Sequence, residues 1–374
     1  MLTDKEKKRY NRHILLPEIG LAGQEKIKNS SVLIIGAGGL GCPILQYLAA
    51  TGVGCIGIID FDTISETNLQ RQVLYNSNEI DKYKVDIAVQ KLSRQNPYVK
   101  FTTYCYELTN KNALELFQKY DIIIDGTDNF SSRYLINDAC AITKKPLIYG
   151  AIHKFEGQVA VFHYAPEGQQ ITTDYRDLFP EPPENEQAPN CSEAGVIGVL
   201  PGIIGTMQAC EAIKIITGIG NPLSEELLIV NSLNMDFYKL KITPNAKRES
   251  ITSEKFENYN YKQFCGIENT IEIKEITCEN FKIEIKNNRK GLQIIDIRDP
   301  SELPKSDELI DKQIPIEDLI DRINEIEISK KVILVCKTGV RSKLAIRMLQ
   351  KKISTNNFYS LKGGIIEWLN NNKV

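Results

Sequence analysis

The stretch VLIIGAGGLGCPILQYLAATGVGCIGIID, residues 32–60, decides how this chain must fold. Val32–Ile35 is a short β-branched run and reads as a buried parallel strand. Gly36, Gly38 and Gly41 follow at once in G-x-G-x-x-G spacing, with Gly39 inside the turn. Leu45, Leu48 and Ala49 then share one face of a helix, and a second strand, Cys55–Ile59, ends on Asp60. Glycines at such a turn let backbone N–H groups approach phosphate oxygens at a helix N-terminus, while the acid reaches ribose hydroxyls. The stretch therefore predicts a nucleotide site on a Rossmann-like βαβ unit. The glycine spacing alone does not separate ATP from NAD.

Composition narrows the classes around that unit. With 374 residues there is room for one large domain, or a large and a small one. A net charge of −2 and 42% hydrophobic residues describe an ordinary globular protein with no basic surface for nucleic acid or anionic membranes. The N-terminus MLTDKEKKRY is too charged for a signal peptide, and no apolar run approaches the length of a membrane span. Nine cysteines without a C-x-x-C pair argue against a disulfide framework and suit a reducing compartment; the cytoplasm is the expected location.

Outward from the glycine turn, the chain keeps an alternating strand and helix rhythm. The polar segment DFDTISETNLQRQ, residues 60–72, reads as a loop at the carboxyl end of the second strand, where open α/β sheets bind ligands. Lys84 opens a helix whose Val85, Ala88, Val89 and Leu92 face inward. Val99–Cys105 and Tyr120–Asp125 read as strands, the second ending in GTDN at 126–129; a further strand covers 146–150. This rhythm predicts a mostly parallel sheet covered on both faces, with Asp60, Lys84 and Asp128 near one edge. From Glu156 the alternation changes to that of an antiparallel extension. Four prolines between 180 and 189 then preclude regular structure up to Cys191, which stands before a glycine-rich helix entry. Residues 203–217 read as an apolar helix of core or dimer surface, and the polar 244–290 as a linker.

A second α/β pattern fills residues 291–374. There the strand VILVC, residues 332–336, runs into KTGVRS and a helix. This order predicts Cys336 in a cradle of backbone N–H groups that lowers a thiol pKa and holds an anion, with Arg341 closing the loop. A buried structural cysteine is the alternative. The six-residue ring from Cys336 to Arg341 is one residue tighter than a cysteine-phosphatase loop and suits sulfur better than phosphate.

RYNRH at 9–13, GAGGLG, DFD at 60–62, NLQRQ at 68–72, GTDN and CSEAGV at 191–196 occur in order. Together they resemble the HesA/MoeB/ThiF family, the prokaryotic-type relatives of ubiquitin-activating enzymes. The CKTGVRS loop and the ending LKGGIIEW resemble a rhodanese domain. The combination resembles a two-domain molybdopterin-synthase adenylyltransferase/sulfurtransferase over nearly the whole chain. It implies an adenylation domain at 1–243 and a rhodanese-like domain at 291–374. ATP would bind at Gly36, Gly38, Gly39 and Gly41 with its ribose on Asp60; Asp62, Asn68 and Asn129 belong to the same expected site. Arg71 and Lys84 would clamp phosphates and Asp128 would hold magnesium. The implied substrate is the C-terminal Gly-Gly carboxylate of a ubiquitin-like sulfur-carrier protein. Cys336 would carry a persulfide received from an upstream donor, and Cys191 would form or resolve the covalent carrier adduct. The resemblance also implies a homodimer in which Arg12 reaches the partner's nucleotide; from spacing alone, Arg9 and Arg12 make a solvated basic face. The receiving pathway (molybdopterin, thiamine or tRNA thiolation) is not encoded.

Two features depart from the family pattern. Many relatives hold a structural zinc with two C-x-x-C pairs; here Asp174 and Asp177 stand at the first and Ala246 and Glu249 at the second, so zinc is expected to be absent. The segment Leu303–Ile314 lacks the usual His-Ile-Pro-Gly-Ala stretch. Competing readings are an NAD-dependent oxidoreductase on the same unit, an enzyme adenylating a small molecule or tRNA base, and an adenylating enzyme whose rhodanese domain only docks partners.

Overall fold

The computed structural model describes residues 1–165, 173–183, 195–245, 251–265, 273–304, 309–353, 355 and 357–371. The chain forms two compact units, Met1–Glu268 and Asn269–Val374.

In the first unit, helices α1 (Asp4–Arg9), α2 (Asn11–Ile14) and α3 (Gly20–Asn29) lead into β1 (Ser31–Ile35). The order continues as α4 (Gly41–Thr51), β2 (Cys55–Ile59), α5 (Lys84–Gln95), β3 (Lys100–Tyr104), α6 (Ala113–Gln118), β4 (Ile122–Asp125), α7 (Phe130–Thr143) and β5 (Leu147–His153). Then come β6 (Glu156–Phe162), α8 (Tyr175–Leu178), α9 (Leu200–Thr217), β7 (Glu226–Asn231), β8 (Asp236–Lys241), α10 (Ser253–Glu257) and α11 (Tyr261–Phe264). The strands make one eight-stranded sheet, ordered β3-β2-β1-β4-β5-β6-β7-β8. The first five strands are parallel and the last three antiparallel, as the change of pattern at Glu156 predicts.

The apolar strands are buried on both faces because their side chains alternate between two cores. Val32, Ile34, Ile56, Ile58, Ile122 and Ile124 face the helices α4, α5 and α9. Leu33, Ile35, Ile59 and Ile123 face the opposite core, which α6 and α7 close. Strand order reverses between β1 and β4, so their carboxyl ends diverge and leave a crevice.

The described residues of 244–290 are folded elements rather than the expected linker. Phe256, Tyr261 and Cys265 are buried in the core on the α7 side, an aromatic-driven docking that a polar composition conceals. The second unit starts within the same segment, with β9 (Lys274–Ile276) and α12 (Cys278–Asn288), whose Ile276, Cys278 and Phe281 join its core. It continues with β10 (Leu292–Asp296), β11 (Lys312–Gln313), β12 (Lys331–Val335), α13 (Val340–Lys352), β13 (Phe358–Leu361) and α14 (Gly364–Asn370). Its sheet is parallel throughout, ordered β11-β10-β12-β13-β9. Cys336 follows directly on the buried strand β12, at its carboxyl end.

Candidate active sites

The first site is a cleft of about 440 Å³ at the β1/β4 switch point. Its floor is the glycine turn. Gly36 has φ +95°, and a Cβ there would meet the Gly126 carbonyl at 2.8 Å. A Cβ on Gly41 would come within 2.0 Å of the Gly36 carbonyl, so only glycine lets α4 start directly above β1. Gly36, Gly38, Gly39, Asp60, Asp62, Arg71, Lys84, Asp128 and Asn129 all line the cleft.

Asp60 is positioned by the backbone: Ala37 N–H donates to its Oδ2 at 2.7 Å and Asp62 N–H to its Oδ1 at 2.8 Å. Burial raises its carboxyl above the ordinary carboxylate value, opposed first by Lys84 and then by those two N–H groups. Lys84 is the first residue of α5, where a cation opposes the helix dipole, and it is only 4% exposed. Its Nζ donates to Asp62 Oδ2 at 2.8 Å. Local helix preference does not favour a buried cation there; its pairing with Asp62 in the cleft opposes that cost. Arg71 is held by Nη1 donating to the Thr67 carbonyl at 3.2 Å and by its N–H on the Asn68 carbonyl at 3.1 Å.

At the opposite wall, burial pushes the Asp125 carboxyl up to about 6, with Arg133 and two hydrogen bonds from Thr127 opposing. Those bonds, 2.8 Å from Thr127 N–H and 2.7 Å from its hydroxyl, fix the turn that presents Asp128. Asp128 itself is exposed, and its carboxylate makes no hydrogen bond or ion pair with the described residues. Asn129 caps α7, its Oδ1 accepting from Ser132 N–H at 2.9 Å.

Asn68 does not line the cleft; its carbonyl braces Arg71 and Gln72 instead. Gly41 lies behind the floor rather than on it. Arg12 is an exposed residue of α2 and does not line the cleft of its own chain. Cys191, Ala246 and Glu249 lie outside the described residues. Sequence reasoning missed Gln72, which lines the cleft 4% exposed with its Oε1 unpartnered among the described residues. It also missed Lys262 of α11, which pairs with Glu107 at 3.1 Å where both line the cleft.

Asp174 and Asp177 are engaged as a capping box for α8, with Asp174 Oδ1 accepting from Arg176 N–H at 2.7 Å and Asp177 Oδ2 from Asp174 N–H at 2.9 Å. Asp177 Oδ1 also accepts from Asn245 N–H at 3.0 Å. Arg176 forks onto buried Asp138 at 2.9 and 2.7 Å and packs against Tyr134 and Phe264.

In the second unit, Cys336 is fully buried and its Sγ accepts from Gly339 N–H at 3.1 Å. Ser342 Oγ lies 3.5 Å away. The loop turns on Gly339 (φ +88°) and packs against Gly363-Gly364; a Cβ on Gly364 would meet the Cys336 carbonyl at 2.4 Å. The expected loop cation is not free. Arg341 donates from Nη1 and Nη2 to the two oxygens of Glu302, both at 2.6 Å.

Fold and sites together define a two-unit protein with a Rossmann-type cleft in the first unit and a cysteine loop in the second. The chain belongs to the ThiF family, which it matches over residues 10–251, and a rhodanese-like domain follows at 282–371. It is 39% identical to "Probable adenylyltransferase/sulfurtransferase MoeZ" of Mycobacterium tuberculosis, over 98% of this chain and 94% of that protein. It is 44% identical to "Sulfur carrier protein adenylyltransferase" of Thermus thermophilus, over 71% of this chain and 98% of that one. Among solved structures, Escherichia coli MccB with MccA-N7isoASN superposes with a TM-score of 0.57 at 22% identity, covering 65% of this chain and 74% of that chain; it shares the fold.

Proposed function

We propose that the first unit adenylates the C-terminal Gly-Gly carboxylate of a ubiquitin-like sulfur-carrier protein and that the second supplies the sulfur for its thiocarboxylate. The observation that carries this reading is the buried Lys84 facing Asp60 and Asp62 in a glycine-floored cleft at the switch point. A carboxylate attacking a triphosphate brings two anions together, and fixed cations lower that barrier. Lys84 and Arg71 serve as phosphate clamps. The glycine turn at the start of α4 receives phosphate oxygens on its N–H groups, and Asp60 accepts from the ribose hydroxyls.

Asp128 suits a magnesium ion: it is an exposed carboxylate in the cleft whose oxygens have no partner among the described residues. Magnesium takes one or two carboxylates and completes its shell with phosphate oxygens and water, neutralising charge on the triphosphate. In the adenylation step the carrier's carboxylate oxygen bonds to the α-phosphorus, and pyrophosphate leaves with the electron pair of the broken bond. The outer sulfur of a Cys336 persulfide then attacks the acyl carbon and AMP departs, leaving an acyl disulfide. A second thiolate attacks Cys336 Sγ, and the S–S bond breaks with its electron pair going to the thiocarboxylate. A dithiol reductant opens the resulting protein disulfide to restore the Cys336 thiol. Cys191 is assigned to the covalent carrier adduct, and Arg12 to the nucleotide of a second copy in a cytoplasmic homodimer. No structural zinc belongs to this reading, because Asp174 and Asp177 are engaged as caps and their lobe has the Arg176–Asp138 pair.

The test is the mass of a purified Gly-Gly-tailed carrier after incubation with ATP and a sulfur source. Exchange of one oxygen for one sulfur, lost in Cys336→Ser, is expected. ATP cleavage that ignores the carrier would refute the reading.

A further inference from the structure

Glu302 is built into the second unit with more care than a surface ion pair requires. Its carboxylate accepts from both Nη atoms of Arg341 at 2.6 Å and from Asp299 N–H at 3.1 Å, and its own N–H returns to the Asp299 carbonyl at 3.0 Å. The turn is anchored by Arg298, which is 2% exposed, pairs with Asp296 and donates from Nη1 to the Pro304 carbonyl at 2.8 Å. The hydrogen bonds from Arg341 are the chief reason the Glu302 carboxyl sits at about 2, so the pair is charged at any working pH. Arg341 belongs to the same loop as Cys336, five residues on and just past the Gly339 turn whose N–H donates to the sulfur.

We infer that Glu302 is a specificity-determining residue of the sulfur-loading loop: by occupying Arg341 it makes the Cys336 site discriminate against dianionic sulfur donors. The inference rests on the sulfur-transfer reading of this unit. Loading from thiosulfate requires the Cys336 thiolate to attack the outer sulfur. A new Sγ–S bond forms, the donor's S–S bond breaks, and its electron pair leaves with sulfite. Three negative charges thus meet at the loop, and the loop's arginine is already paired with Glu302. Sulfane sulfur on a persulfide brings no such dianion, so it does not need Arg341. Freed of Glu302, the same guanidinium would face the donor as a fork for its oxygens.

The experiment uses the full chain, with thiosulfate or cysteine persulfide as donor and cyanide as acceptor. Cyanide takes the outer sulfur from the Cys336 persulfide as thiocyanate and returns the thiolate. Glu302→Gln is expected to raise kcat/KM for thiosulfate on the order of tenfold, through KM, with the persulfide rate unchanged within about twofold. Glu302→Asp, a milder change that keeps the charge but shortens the reach, is expected to give a smaller rise. The gain should vanish in the double variant Glu302→Gln, Arg341→Gln. An unchanged donor ratio in both Glu302 variants would overturn the inference. Failure of both donors to load Cys336 in the parent would instead overturn the sulfur-transfer reading beneath it.

Discussion

Replacing Lys84 with methionine separates the chemical role of the cleft from its stability. The substitution keeps the length of the side chain and removes a charge that is 4% exposed and 2.8 Å from Asp62 Oδ2. The effect on folding should be small. Asp62 is 56% exposed, and a pair with one solvated partner contributes about 0–1 kcal/mol. Removing a cation from a helix N-terminus returns roughly 0.3–1 kcal/mol. The effect on catalysis is of another size. One charge about 4 Å from a phosphate oxygen is worth ~4 kcal/mol at an effective dielectric constant of about 20, and roughly half that where water enters the cleft. The expected loss in carrier-dependent ATP–pyrophosphate exchange is therefore about 30-fold to about 1,000-fold. Asp60 loses its leading counter-charge as well, which drives its carboxyl further upward. Exchange within about twofold of the parent, from a variant that melts normally, would refute the assignment of Lys84.

Two predictions concern the support of the site. Asp125 holds its proton more tightly folded than unfolded, so the parent loses ~3 kcal/mol of stability as pH rises from below about 3 to above about 7, most of it between about 4 and about 6. Asp125→Asn keeps an acceptor for Thr127 and should flatten that decline, read from urea unfolding at the two ends of the range. Arg176→Met leaves Asp138, which is 2% exposed, without its charged partner; urea unfolding should show a loss of ~3–5 kcal/mol.

Much of this was legible in the sequence because it depends on short-range rules. Strand runs buried on both faces, glycines where a Cβ would collide with backbone, and acids ending strands are all local signals. They place Gly36, Asp60, Lys84 and Asp128 around one cleft, as expected. What stayed hidden depends on contacts between residues distant in the sequence. Lys262 reaches the cleft wall from a segment whose polar composition reads as linker, because the few aromatics that dock it, Phe256 and Tyr261, leave no periodic trace. Glu302 meets Arg341 across 39 positions, and nothing in CKTGVRS announces that its arginine is already paired. Asn68 and Asn129 look alike as ligand contacts in their motifs; the structure leaves Asn68 off the cleft as a carbonyl brace and puts Asn129 on the cleft wall, where it also caps a helix.

The proposed mechanism stands or falls on AMP transfer to a protein tail. The decisive measurement is the single-turnover rate at which radiolabelled α-phosphate from ATP appears on a Gly-Gly-tailed carrier, compared between the parent and Asp128→Ala. Removing the carboxylate assigned to magnesium should slow that rate by at least about a hundredfold. Label arriving at the parent's rate would contradict the account.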